Sequence, residues 1–149
     1  MINDDTVEVL NGLISMSEDG RKGFSQAADE AQDANLKSLF QDRARQCLEA
    51  SNELQTLVST LGGKPSEDGS LSGTAHRAWV KFRVALGDNN LAVLEEVERG
   101  EDHAKAAYRA ALRSDLPPMA RGVLEKQYQG VVANHDRIRD LRNSYRNAA

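Results

Sequence analysis

The sequence predicts an all-α protein: four long helices paired into two antiparallel hairpins, joined by a crossover that contains a short extra helix. Three observations carry that prediction. Apolar residues recur at the helical period of 3.6 over four long stretches. Aromatic residues make up only 5% of the chain, prolines number three, and the punctuation that bounds strands is scarce. Capping residues, glycines and prolines gather where they would cut the chain into helix-length pieces. With 149 residues, the chain is read as one domain, 1–149, able to bury roughly 70% of its extended-chain surface.

The first helix is expected over about 4–32, opened by Asn3 or Asp4. Its inward positions are Val7, Leu10, Leu13, Ile14, Ser17, Phe24, Ala28 and Ala31. Gly12, Gly20 and Gly23 each cost about 1 kcal/mol relative to alanine inside a helix, which points to a neighbour passing close or to a bend. Asp33 caps the second helix, about 34–61, whose stripe runs from Leu36, Leu39 and Phe40 to Leu57, Val58 and Leu61. Gly62-Gly63 stops it. The short turn makes the two helices antiparallel neighbours.

Residues 63–73, with Pro65 and Gly69, form a polar linker. A short helix follows over about 74–86, in which His76, Arg77 and Trp79 pack the crossover onto the bundle. Gly87 ends it, and Asp88 or Asn90 caps the third long helix, about 89–113. Ser114 or Asp115 caps the last helix, about 116–146, with Pro117 and Pro118 in a first turn whose backbone N–H groups need no partner within the helix. Two hairpins with one long crossover is the ferritin-like arrangement.

Composition narrows the function classes. The net charge of −4 gives no reason to expect nucleic acid, and the arginines of the last helix (Arg137, Arg139, Arg142, Arg146) face an acidic helix before them. A single cysteine, Cys47, excludes an internal disulfide and a cysteine metal knuckle. No signal peptide and no run of about 20 apolar residues is present, so the expectation is a cytoplasmic protein without a membrane span.

Placing residues at 100° steps puts several polar side chains inside the apolar stripes. Ser17 and Arg21 fall there in the first helix, Arg43 and Cys47 in the second, Glu101 in the third with Glu98 at its edge, and Gln127 and Asn134 in the last with His135 at its edge. Counting from the hairpin turns puts Arg21, Arg43, Glu101, Gln127 and Asn134 near one level. One reading is a structural polar layer, in which arginines satisfy Glu101 and Gln127 and set helix register. The other is a ligand or metal site, reduced to Glu98, Glu101 and His135, with iron or manganese as the ion.

The full di-iron constellation needs a glutamate on each of two helices and Glu-x-x-His on the other two. No glutamate in this chain has a histidine three residues on, and Arg21 brings a cation where a carboxylate is needed. No cofactor is therefore expected in the main reading. Phosphate-binding loops and hydrolase nucleophile motifs are also missing. Cys47 reads as a core residue, Tyr108 as a core hydrogen-bonding group and His103 as a solvated one.

Several short blocks together resemble a known family: Leu10 to Ile14, Asp19-Gly20 with Gly23-Phe24 and Ala27-Ala28, Glu53-Leu54-Gln55, Leu61-Gly62-Gly63, His76-Arg77 with Trp79, and Glu98 to Asp102 with Tyr108. They resemble an uncharacterised, mostly proteobacterial four-helix-bundle family, a domain of unknown function placed in the ferritin-like superfamily. The resemblance covers nearly the whole chain. It implies a ferritin-like fold and a bacterial source, and it supplies no catalytic residues. The function expected is a non-enzymatic bundle acting through self-association or a protein partner, with a stress-related role by analogy to superfamily relatives. The alternatives are a metal or redox protein with a non-standard carboxylate site, and a small-molecule binder using space beside Gly100 and Ala104 in the bundle interior.

Overall fold

The computed structural model describes residues 4–66 and 90–148. Within them run α1, Asp4–Glu30; α2, Ala34–Thr60; α3, Asn90–Arg113; and α4, Pro118–Ala148. The expected short helix at 74–86, its packing residues His76, Arg77 and Trp79, and most of the linker lie outside the described residues.

Local chemistry accounts for the helix ends. Asp4 and Asp5 place negative charge in the first turn of α1, where the helix dipole favours it. Asp33 is extended (φ −73°, ψ 127°), and one carboxylate oxygen accepts from the N–H groups of Asn35 and Leu36 at 2.9 and 3.0 Å. At the far end of α2, Gly62 takes φ 83°. The Gly62 N–H donates to the Ser59 carbonyl and the Gly63 N–H to that of Val58, both at 3.0 Å, which is a Schellman closure. Gly63 must also be small, because a Cβ there would stand 2.7 Å from Val7 of α1.

The α3–α4 turn departs from expectation. Neither Ser114 nor Asp115 caps α4. Pro118 is the first helical residue, and the Ser114 hydroxyl donates back to the Ala111 carbonyl instead. The guanidinium of Arg121 reaches from α4 to the carbonyls of Leu112 and Ser114 at 2.8 and 3.0 Å, satisfying acceptors that the end of α3 would otherwise leave open.

Two polar clasps set the topology. Asn11 of α1 accepts from the Ser66 N–H at 2.8 Å and donates to the Lys64 carbonyl at 3.0 Å. At the opposite end, Asp33 accepts from the Asn90 side chain at 3.1 Å and from the Tyr145 hydroxyl at 2.8 Å. Residues 66 and 90 thus stand at opposite ends of the bundle. α3 starts where α2 starts and runs parallel to it, while α1 packs beside α3 and α2 beside α4. This is the one-crossover, ferritin-like connection.

The core falls into two apolar clusters. One gathers Phe24, Leu36, Leu39, Phe40, Val93, Leu94, Val97 and Ile138 near the Asp33 clasp. The other gathers Leu10, Leu13, Ile14, Leu54, Leu57, Val58, Tyr108, Ala120 and Leu124 near the Asn11 clasp. Apart from Thr6 near the start of α1, the buried polar residues lie between them along each helix.

Two glycines of α1 separate packing from propensity. A Cβ on Gly20 would come 2.9 Å from the Cys47 sulfur, whereas one on Gly12 would meet nothing within 4 Å. Gly12→Ala is therefore expected to stabilise by up to about 1 kcal/mol. Gly20→Ala should gain nothing or lose stability, because the added methyl overpacks the α1–α2 seam. Paired denaturant titrations of the two variants check this.

Candidate functional site

Glu101 is held by α3 with its face toward the bundle axis, and only 2% of it is exposed. Its Oε1 accepts from Arg43 Nε at 2.7 Å, from a guanidinium that is itself 6% exposed. The same guanidinium donates to Gln46 Oε1 at 2.9 Å and lies over the Phe24 ring, 5.3 Å from its centroid. Asn134 of α4 donates to the same Gln46 oxygen at 2.8 Å. The chain Glu101–Arg43–Gln46–Asn134 thus ties α3, α2 and α4 together. Burial alone would make Arg43 easier to deprotonate, but the charge of Glu101 outweighs it and holds the guanidinium protonated.

Two residues that the sequence grouped with Glu101 pair with other side chains. Arg21 does not meet Glu101. Its side chain, 35% exposed, folds over Glu18 with Nε–Oε2 at 2.9 Å. Glu18 is the buried member instead, because Ser51 of α2 donates to its Oε1 at 2.7 Å. A long arginine stem lets its charge reach the rim, while a carboxylate with a buried donor can stay inside. Burial would raise the Glu18 carboxyl, but the Ser51 and Arg21 bonds outweigh it and the net shift is downward.

Gln127 is the second correction. It accepts from the Tyr108 hydroxyl at 2.9 Å and donates to Glu53 at 2.8 Å, toward the Asn11 end and away from Glu101. Gln127 faces Tyr108, seven residues past Glu101 on α3, and the α4 residue that joins the Glu101 network through Gln46 is Asn134. Burial pushes the Tyr108 hydroxyl well above its ordinary range. Burial likewise pushes the Cys47 thiol up against the opposing pull of Arg43. Gly100 and His103 are exposed, so the space beside Gly100 is solvent and not bundle interior.

The outer seam of α3 and α4 is a ladder of paired charges. Glu95 meets Arg146 at 3.6 Å, Glu98 meets Arg142, Asp102 Oδ1 lies 2.8 Å from His135 Nε2, and Tyr128 accepts from Arg109 at 3.0 Å. Arg137 pairs with Asp42 of α2 at 3.1 Å. Arg137, Arg142 and Arg146 are thus spent on neighbouring helices, while Arg139 pairs with Asp136 and Asp140 of its own helix. His135 and Glu98 do come together, but their third neighbour is Asp102, and Glu101 is turned to Arg43. Among the described residues, Glu98, Asp102 and His135 form the group whose ligand atoms all lie within 4.8 Å of one another.

Sequence reasoning missed Gln46, Ser51 and Asp102, all polar residues at or beside the stripe edges whose partners come from other helices. Asp19 is also buried, with Oδ1 lacking any hydrogen-bond partner. Burial raises its carboxyl, Lys22 opposes and Glu18 adds. A carboxyl whose folded pKa is raised weakens the fold as pH climbs from its ordinary value through the raised one. Asp19→Asn is therefore expected to raise the melting temperature at neutral pH, with the gap closing as wild-type Asp19 protonates in acid. Melts of both proteins across acid to neutral pH test it.

A family model described as a domain of unknown function, DUF2383, matches residues 5–114. No curated protein matches the chain. Among solved structures, a two-domain protein from Anabaena variabilis, containing DJ-1/ThiJ/PfpI-like and ferritin-like domains, superposes on all of this chain with a TM-score of 0.79 at 17% identity. The chain spans 39% of the length of that protein, so the likeness concerns the fold. With the family model covering α1 from Asp5 onward and all of α2 and α3, and with four helices in the one-crossover order, the chain belongs to the DUF2383 family and has a ferritin-like four-helix bundle as its fold.

Proposed function

We infer that this protein is a non-enzymatic ferritin-like bundle that acts by association, with copies of itself or with a protein partner. One observation carries the reading: the inner carboxylate of α3 is taken by a buried arginine, Arg43, at 2.7 Å. The ferritin-like fold implies a di-iron centre built from inner carboxylates of all four helices and two Glu-x-x-His pairs. The residues present do not fit that centre. A guanidinium bonded to Glu101 repels a second cation there, and the chain has no Glu-x-x-His. The layer is instead suited to fixing helix register, since a paired buried charge penalises any slip that unpairs it.

The Anabaena relative carries its ferritin-like domain beside a second domain, which is how a bundle that works by association would be deployed. Among the described residues no helix is long and apolar enough to cross a membrane. Sedimentation velocity from micromolar to millimolar protein tests the self-association arm, and a concentration-dependent rise in mass is expected. A monomer throughout, together with stoichiometric di-iron loading of the purified protein, would overturn the reading.

A further inference from the structure

We propose that Glu98, Asp102 and His135 form a single-ion site for a divalent first-row transition metal on the α3–α4 seam. The site is separate from a di-iron centre: it draws on two helices only and takes nothing from α1 or α2. Glu98 and Asp102 are one turn apart on α3 and present their carboxylates on the same side, while α4 brings the His135 imidazole between them. All three ligand atoms lie within 4.8 Å of one another. Bonds of about 2.0–2.2 Å to a common ion put donors about 3 Å apart, so small side-chain rotations close the set. Two carboxylate oxygens and one imidazole nitrogen suit zinc, manganese or ferrous iron, while the imidazole disfavours magnesium and calcium. Asp102 is 60% exposed and Glu98 and His135 are mostly covered, which leaves an entry from solvent and a sheltered floor.

A second observation points the same way. Two buried polar atoms at this seam lack a hydrogen-bond partner: Arg142 Nε and His135 Nδ1. Such atoms are rare in a finished core: the Arg142 donor calls for a water or a carboxylate, and the free imidazole nitrogen calls for a partner that fixes the ring. His135 Nδ1 lies 3.6 Å from Asp136, a carboxylate able to orient the ring as an outer partner of a metal-bound histidine does. Without the ion, Arg142 neutralises Glu98 and Asp102 holds His135. The ion competes with Arg142 for Glu98 and with a proton for the imidazole. The proposal stands apart from the association reading, since a bundle that self-associates can carry or lack this site.

The test is calorimetric titration of chelator-treated, untagged protein with Zn2+, repeated with Co2+ while following its visible absorption. One ion per chain is expected. His135→Ala and Asp102→Asn should each weaken binding at least about tenfold. Asp102→Asn sits on an exposed side chain and keeps the result readable if His135→Ala folds poorly. Arg142→Gln should tighten binding several-fold by removing the competing cation, and His103→Ala should leave it unchanged. Absence of Zn2+ binding, or binding that His135→Ala and Asp102→Asn leave intact, overturns the proposal. Arg142→Gln weakening the site would also overturn it, because the arginine would then be part of a salt-bridge ladder and nothing more.

Discussion

Replacing Glu101 by alanine is expected to lower the unfolding free energy by about 3–5 kcal/mol, the usual cost of stranding one partner of a buried ion pair. Arg43 would keep its bond to Gln46 and its position over Phe24 but would lose its counter-charge. The guanidinium cannot shed its proton to escape. For a chain of 149 residues, a loss of that size lowers the melting temperature by roughly 10 °C. The double variant Arg43→Met with Glu101→Leu should recover most of it, because removing both charges also removes both desolvation costs. Denaturant titration of the two single variants and the double completes the cycle. An unchanged melting temperature for Glu101→Ala would refute the buried pair.

The second large effect is expected at Asp33. One carboxylate caps α2 through two backbone N–H groups and also accepts from Tyr145 of α4 and Asn90 of α3. Losing an N-cap costs about 1 kcal/mol, and the further bonds to a charged acceptor bring the expected loss for Asp33→Ala to about 2–3 kcal/mol. Burial would raise this carboxyl, but the bonds from Leu36, Tyr145, Asn35 and Asn90 outweigh it, and its pKa is lowered in the fold. A depressed carboxyl contributes stability that is present above its ordinary value and lost as pH falls through the folded one. Asp33→Asn keeps a good cap, so it should retain most of the stability at neutral pH while flattening the acid limb. Melting curves of wild type, Asp33→Ala and Asp33→Asn from neutral to acid pH would show this. An Asp33→Asn protein as damaged as Asp33→Ala would mean that charge, and not capping geometry, dominates at this junction.

Much of the fold was legible because its causes are local. Asp33 before a periodic run and Gly62-Gly63 after it mark α2 without any tertiary information, since capping and left-handed backbone are properties of a few consecutive residues. The same reasoning failed at Ser114 and Asp115, where two prolines delayed α4 and an arginine from the next helix closed α3. Gln127 faces Tyr108 and Glu53 and not Glu101, a matter of register between helices that periodicity alone cannot detect.

The inward direction of Glu101, the all-α class and the hairpin order follow from sequence by itself, because helical period and end chemistry are encoded residue by residue. Which charge meets which was decided only by the tertiary structure. Arg21 and Arg43 both fall within an apolar stripe in sequence, yet only Arg43 finds Glu101, while Arg21 turns to Glu18, which Ser51 keeps inside. Partners of this kind depend on register between helices, on the reach of flexible side chains and on donors arriving from another part of the chain. The same holds for the seam, where Asp102 and not Glu101 joins Glu98 and His135. Adjacent residues on one helix point about 100° apart, and the docking of α4 selects which of the two faces it.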